Sequence, residues 1–418
     1  MSEASVSAVS LPQAGGSSVG IRLAKRAFCQ LLQQIQFGSL TLHDGDETLH
    51  FGNANDSSQV HADLRIHNPL VYRQILLGGT VGAGESYMLG HWSSSNLVAV
   101  VRLFTANMAV LDTMDAKQSW RKRLGLAFAH LLNNNTLSGS RRNISAHYDL
   151  GNDFFELFLD RSMMYSAAVF PSPQASLEDA AEHKLDLICQ QLQLTPDDHL
   201  LEIGTGWGGM AIHAAQRYGC KVTTTTISRE QFEYARARVE AAGLSDRITL
   251  LCEDYRDLSG HYDKLVSIEM IEAVGHQFYS TYFDKCSSLL KPDGLMVIQA
   301  ITMADRRYEA AVKSVDFIKR YIFPGGCLPS IEVISKHLRQ DTDMQIIHLR
   351  DITQDYADTL ASWRKRFMEK LPEVRAQGFD TTFERMWDFY LCYCEGGFRE
   401  RVIGTVQLTF AKPGYRFA

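Results

Sequence analysis

Leu200-Leu201-Glu202-Ile203-Gly204-Thr205-Gly206-Trp207-Gly208-Gly209 places an apolar strand directly before a glycine-rich turn, and helical spacing resumes after it. Glycine suits that turn because the chain bends sharply and a ligand must approach the backbone closely. The helix that follows offers amides and a partial positive charge to an anion. Two anions are candidates, a dinucleotide pyrophosphate and the carboxylate of S-adenosylmethionine. A dinucleotide site usually wants an acidic residue about 20 positions on, at the end of the second strand. Here that strand ends in Thr223-Thr224-Thr225-Thr226, then Ile227-Ser228, with Gln231 one helical turn later. Hydroxyls and an amide would meet the ribose, which leans away from the dinucleotide. The bland alternative is a glycine turn that merely packs helix on strand.

Outward from this loop the chain alternates strand 199–203, helix 208–217, strand 221–226, helix 229–242 and strand 248–252. Strand 264–268, helix 279–290 and strand 294–301 follow. Such alternation predicts an α/β fold with a doubly wound, largely parallel sheet. Runs 345–352 and 404–412 bracket a helical region and suit an antiparallel edge. Upstream, Ser176 can cap a helix carrying Ala181, Leu185, Ile188 and Leu192 on one face, ended by Pro196. The polar stretch from Asn133 to Arg142 reads as a boundary. The expected organisation is a flexible tail over 1–20, a smaller N-terminal α+β domain over 21–130 and the α/β domain over 131–418.

A net charge of -6 argues against a general nucleic-acid binder, which needs a basic excess. Cysteines at 29, 189, 220, 252, 286, 327, 392 and 394 form no CxxC pair and no zinc spacing, so no metal is expected. Reduced thiols in the cytoplasm are the simple reading. Neither a signal peptide nor an apolar run of spanning length is expected, so any membrane contact would be peripheral.

The segment Asn143-Ile144-Ser145-Ala146-His147-Tyr148-Asp149-Leu150-Gly151-Asn152-Asp153-Phe154-Phe155, then Leu159-Asp160 and Met163-Met164-Tyr165-Ser166, resembles the cyclopropane-fatty-acyl-phospholipid synthase family. The loop from Glu202 to Gly209, Thr226-Ile227-Ser228-Arg229-Glu230-Gln231 and Glu272-Ala273-Val274-Gly275 resemble it too. Tyr321-Ile322-Phe323-Pro324-Gly325-Gly326-Cys327-Leu328-Pro329-Ser330 is the most distinctive match. The resemblance covers roughly residues 140–412 and implies a Rossmann-like methyltransferase sheet. It implies S-adenosylmethionine as cofactor and an unsaturated fatty-acyl phospholipid as substrate, met at the inner membrane face. The alkene would attack the sulfonium methyl, and loss of a proton from that methyl would close a cyclopropane. A bicarbonate ion is the implied base.

By motif, the resemblance gives the bicarbonate Glu272, Tyr356 and the backbone near Ala167 and Ile301. It gives the cofactor Tyr165, Ser166, Gly204, Gly206, Thr226 and Gln231, with Asp254 and Tyr255 near the adenine. Cys394 matches a cysteine the family has been assigned as active. Many bacterial members carry Cys where this chain has Ala167 and His where it has Gln299, whereas plant members look similar near Gln299. A glutamine amide can still donate a hydrogen bond, so Gln299 joins the catalytic set. A carboxylate beside an anion requires a shared proton.

Bland readings stand beside these. His147-Tyr148-Asp149 alone reads as a helix-start cluster, and Cys394 as a small buried thiol. Gln299 sits in an apolar strand and needs a partner if buried. Trp363-Arg364-Lys365-Arg366-Phe367 and Trp120-Arg121-Lys122-Arg123 are ordinarily solvated helix faces, although basic residues also attract anionic headgroups. The N-terminal domain is expected to dock lipid or a second copy of the protein, giving a homodimer. The rival activities are methylation at an acyl carbon ending in a methyl branch or methylene, small-molecule N-methylation, and a catalytically silent lipid sensor.

Overall fold

The computed structural model describes residues 18–55, 60–108, 110 and 150–416. The expected boundary at 130/131, the His147-Tyr148-Asp149 cluster and the Trp120–Arg123 run lie outside the described residues. Contacts divide the chain into two compact units, Met1–Arg123 with Thr381–Phe389, and Leu124–Asp380 with Tyr390–Ala418.

In the first unit, strands β1 (Ser39–Asp44), β2 (Glu47–Gly52), β3 (His61–Ile66) and β4 (Trp92–Ser93) form a sheet in the order β2-β1-β3-β4. The hairpin of β1 and β2 turns at Gly45, whose φ of 61° is the left-handed backbone such a tight turn needs. Helices Ser18–Leu32, Leu70–Met88 and Leu97–Ala106 accompany it. Asn107 closes the last of these: its side chain accepts from Gln36 and Phe37 and donates to Phe37 and Leu103 carbonyls.

The second unit holds β5 (His199–Ile203), β6 (Lys221–Thr225), β7 (Ile248–Leu251), β8 (Tyr262–Ile268), β9 (Leu290–Met303), β10 (Gln345–Asp351) and β11 (Ile403–Ala411). Their order is β10-β11-β9-β8-β5-β6-β7, with β5 to β9 parallel and β11 antiparallel to both its neighbours. Successive strand residues point to opposite faces. Leu200, Val222, Val266, Leu295 and Val297 therefore pack with Leu185, Ile188, Met210 and Ala214. Leu201, Leu265, Met296, Ile298 and Leu408 pack on the other face with Tyr282, Phe283, Ile334 and Leu338.

Ser176 does cap the helix Leu177–Gln191, in a reciprocal box with Asp179. That helix stops before Pro196 because Gln193 turns into left-handed backbone at φ 54°. Strand β9 begins earlier than its apolar run, taking in Lys291-Pro292-Asp293.

Candidate functional site

The parallel strands β5, β6 and β8 deliver their carboxyl ends to one edge, where open α/β sheets bind ligands. After β5, Gly204, Gly206 and Gly208 all take positive φ (103°, 53° and 86°), which explains the glycines directly. A side chain at Gly206 would meet nothing within 4 Å, so that turn faces open space. At Gly209 a Cβ would lie 2.6 Å from the Ser162 carbonyl, which packs the 162–164 segment against the loop. Arg238 ties the two together, donating to the Trp207 and Ser162 carbonyls at 2.8 and 3.0 Å. Beneath the loop, buried Glu202 accepts from Thr224 Oγ1 at 2.6 Å, and Thr224 bonds Thr205 at 2.7 Å.

Beyond β6, Thr226 donates to Gln231 Oε1 at 3.0 Å, and both are buried. After β7, Asp254 is clamped by Arg256 through bonds of 2.8 and 2.7 Å, while the buried Tyr255 hydroxyl has no hydrogen-bond partner. These residues follow the carboxyl ends of β6 and β7.

A second group gathers past β8. Glu269 Oε1 accepts from the Ala167 backbone at 2.9 Å and from Gln299 Nε2 at 2.8 Å, and Oε2 accepts from the Tyr356 hydroxyl at 2.8 Å. Gln299 also donates to the Ala167 carbonyl at 3.1 Å. Its own oxygen accepts from Gln407, its cross-strand partner on β11, at 3.0 Å, and Gln407 accepts from Gln191 at 2.8 Å. This relay fixes the amide with its donor end toward Glu269. Three residues on, Glu272 accepts from the Ile301 backbone through one oxygen, while its buried Oε2 has no partner. Burial, and then the Glu269 charge, push the Glu272 pKa up to about 8, so it holds its proton at neutral pH. Burial also raises Glu269, but bonds from Gln299, Ala167 and Tyr356 and the Lys184 charge oppose it. Of the two, Glu269 is the one whose hydrogen-bond donors favour the ionised form.

The distinctive proline–glycine stretch leans on this pair. Cys327 N–H donates to the Glu272 carbonyl at 2.8 Å, and Tyr279 bonds the Cys327 carbonyl at 2.6 Å. Aromatic rings close the other side: Tyr165 bonds Tyr390 between hydroxyls at 2.9 Å and lies 5.3 Å from the Trp363 ring. Ser166 accepts from the buried Lys184 at 2.8 Å. Cys394 influences both Tyr356 and Tyr390, and burial pushes its thiol well up, so it is no thiolate. Of the basic run 363–367, Trp363 and Phe367 are buried and Arg366 pairs with Glu178 at 2.7 Å.

Ala167, Gln299 and Tyr356 do converge, but on Glu269, a residue that sequence reasoning missed. The donors expected to hold a bicarbonate are thus already engaged by a side chain of this protein, and the Ile301 amide is engaged by Glu272. These residues do not fit a bicarbonate as well. A visible signal was the pair of glutamates three apart directly after an apolar strand. No group of metal-ligating side chains exists among the described residues.

Strand order and glycine loop define a methyltransferase of the S-adenosylmethionine-dependent class. The chain belongs to the mycolic acid cyclopropane synthetase family, whose model matches residues 136–408. It is similar to tuberculostearic acid methyltransferase UfaA1 of Mycobacterium tuberculosis, with 39% identity over 87% of this chain and 86% of the relative. It is also similar to the cyclopropane-fatty-acyl-phospholipid synthase of Escherichia coli K12, with 36% identity over 84% of this chain and 88% of that one. Among solved structures, mycolic acid cyclopropane synthase CmaA1 complexed with SAH and CTAB superposes with a TM-score of 0.61 at 30% identity, covering 65% of this chain and 98% of that one.

Proposed function

We propose that this enzyme transfers a methylene from S-adenosylmethionine to the double bond of an unsaturated fatty-acyl phospholipid, forming a cyclopropane fatty acid. The observation that carries the reading is the half-buried pair Glu269 and Glu272, with Glu269 bonded to Tyr356, whose ring packs near Trp363 and, through it, Tyr165. Water-poor surroundings with an anion and aromatic faces favour a transient carbocation, which an amine substrate would not need. S-adenosylmethionine, when bound, supplies the electrophilic methyl. Gly204 and Gly206 would leave room for its close approach, Thr226, Gln231, Asp254 and Tyr255 would hold its nucleoside end, and Tyr165 and Ser166 its reactive end. The reading runs without bicarbonate, because its donors are engaged by the protein's own carboxylates.

A second reading ends the same chemistry in a methylene, after a hydride shift. The relative bearing the name tuberculostearic acid methyltransferase favours acyl-chain methylation that does not end in a ring. Both readings put the enzyme at the inner membrane face as a peripheral protein, with the N-terminal unit docking lipid or a second copy of the protein. No helix among the described residues is long and apolar enough to cross a membrane.

The test supplies the purified full-length protein with methyl-labelled S-adenosylmethionine and phospholipid vesicles. Label entering lipid with monounsaturated but not with fully saturated acyl groups supports the reading. Label entering neither overturns it.

A further inference from the structure

We propose that the Glu269 carboxylate, seated in the cradle of the Ala167 amide, the Gln299 side chain and the Tyr356 hydroxyl, is a built-in base. It takes the proton lost after methyl transfer, and so stands where the family resemblance places a bicarbonate ion. The inference rests on the olefin reading above.

Three independent observations converge. First, the cradle is complete: three donors meet two carboxylate oxygens at 2.8 to 2.9 Å, the arrangement an anion needs when withdrawn from water. Second, Glu269 has φ 49°, left-handed backbone that favours glycine. Strain of this kind persists where surroundings over-determine it, and it gathers at functional sites. Strand pairing explains the determination, since Glu269 N–H donates to the Gln299 carbonyl at 2.7 Å while the Gln299 side chain donates back. Third, the relay from half-buried Gln191 through buried Gln407 to buried Gln299 presents one donor to this carboxylate. A carboxylate needed only for packing has no use for that. Glu272, neutral beside it, leaves the pair with one negative charge.

The step balances without a further reagent. The alkene π pair forms the bond to the methyl carbon, and the carbon–sulfur pair leaves with sulfur as S-adenosylhomocysteine. One C–H bond of the new methyl breaks, its electron pair closes the ring onto the cationic carbon, and its proton goes to Glu269. If a hydride shifts first onto the neighbouring cationic carbon, loss of the methyl proton to the same oxygen leaves a methylene branch, C=CH2, on the open chain.

The experiment follows lipid product and S-adenosylhomocysteine release in carbon-dioxide-free buffer, with and without added bicarbonate. It is paired with carbon NMR of labelled bicarbonate on the same proteins. The wild type should turn over at a rate that bicarbonate does not change. E269Q should lose about a hundredfold or more in kcat while binding S-adenosylmethionine as before. E269G relaxes the left-handed backbone and empties the cradle, so it should bind labelled bicarbonate and regain turnover as bicarbonate is added. A wild-type rate that climbs with bicarbonate overturns the proposal, as does an E269Q enzyme as fast as wild type. Failure of the olefin reading shows separately, as a wild type that modifies no lipid. Even then, labelled bicarbonate bound to the wild type would overturn the assignment of the cradle to Glu269.

Discussion

Lys184 donates from Nζ to Ser166 Oγ at 2.8 Å although its side chain is wholly buried. Burial lowers its pKa to about 8, against the pull of the Glu269, Asp160 and Glu202 charges. The same charge is one of the influences that oppose the burial-driven rise of the Glu269 pKa. Lys184→Met should therefore make Glu269 harder to ionise. The acid limb of the pH profile of kcat should move to higher pH. Ser166→Ala removes the hydrogen bond and keeps the charge, so it should leave the limb in place. Equal shifts in both variants would assign the effect to geometry instead.

Glu272 gives a stability signature. Its folded pKa of about 8 lies above its ordinary value of 4.5, so the folded state binds the extra proton between those values. The associated stability is complete below 4.5 and is lost as pH rises through about 8. Thermal melting of the wild type should fall across that window. Glu272→Gln should flatten part of the fall, the remainder coming from the other carboxyls that burial raises, Glu202 to about 8 and with it Glu269, Asp355 and Glu395. A slope unchanged by the substitution would show that Glu272 is already ionised when folded.

Two glycines of one loop should separate binding from folding. At Gly209 an added Cβ meets the Ser162 carbonyl at 2.6 Å, so Gly209→Ala should cost about 1–3 kcal/mol of stability. At Gly206 an added Cβ meets no protein atom, and the left-handed backbone alone costs about 1–2 kcal/mol. Gly206→Ala should therefore weaken S-adenosylmethionine by more than it lowers the melting temperature, read by calorimetric titration against thermal denaturation. A Gly206→Ala protein with unaltered affinity would remove this turn from the cofactor site.

Cys394 should prove dispensable as a nucleophile. Burial holds it as a thiol, so Cys394→Ala should keep the rate within about tenfold. Iodoacetamide at neutral pH should leave the folded wild type unlabelled at this position by peptide mass mapping. Rapid labelling with loss of turnover would restore it as a reactive group.

The α/β alternation and the glycine turn are legible in the sequence because each is a local pattern: apolar periods of two or nearly four, and residues that only a positive φ explains. The reversed β11 is legible for the same reason. Glu269 is not, because its meaning lies in contacts from elsewhere in the protein. Register brings Gln299 beside it, and the helix Thr353–Glu369 brings Tyr356 from 87 positions away. Lys184 is hidden differently. Next to Leu185 in an amphipathic helix, it reads as a cation reaching for solvent, and only the fold shows it turned inward to Ser166.

Methyl transfer to an acyl double bond can be read in living cells, by expressing the protein in a host lacking the modification and analysing its membrane fatty acids by mass spectrometry and proton NMR. Monounsaturated acyl groups should become heavier by one methylene, with ring protons at high field for the cyclopropane or olefinic methylene signals for the second reading. Fatty acids identical to those of the empty host, from cells holding folded protein, would contradict the proposed activity.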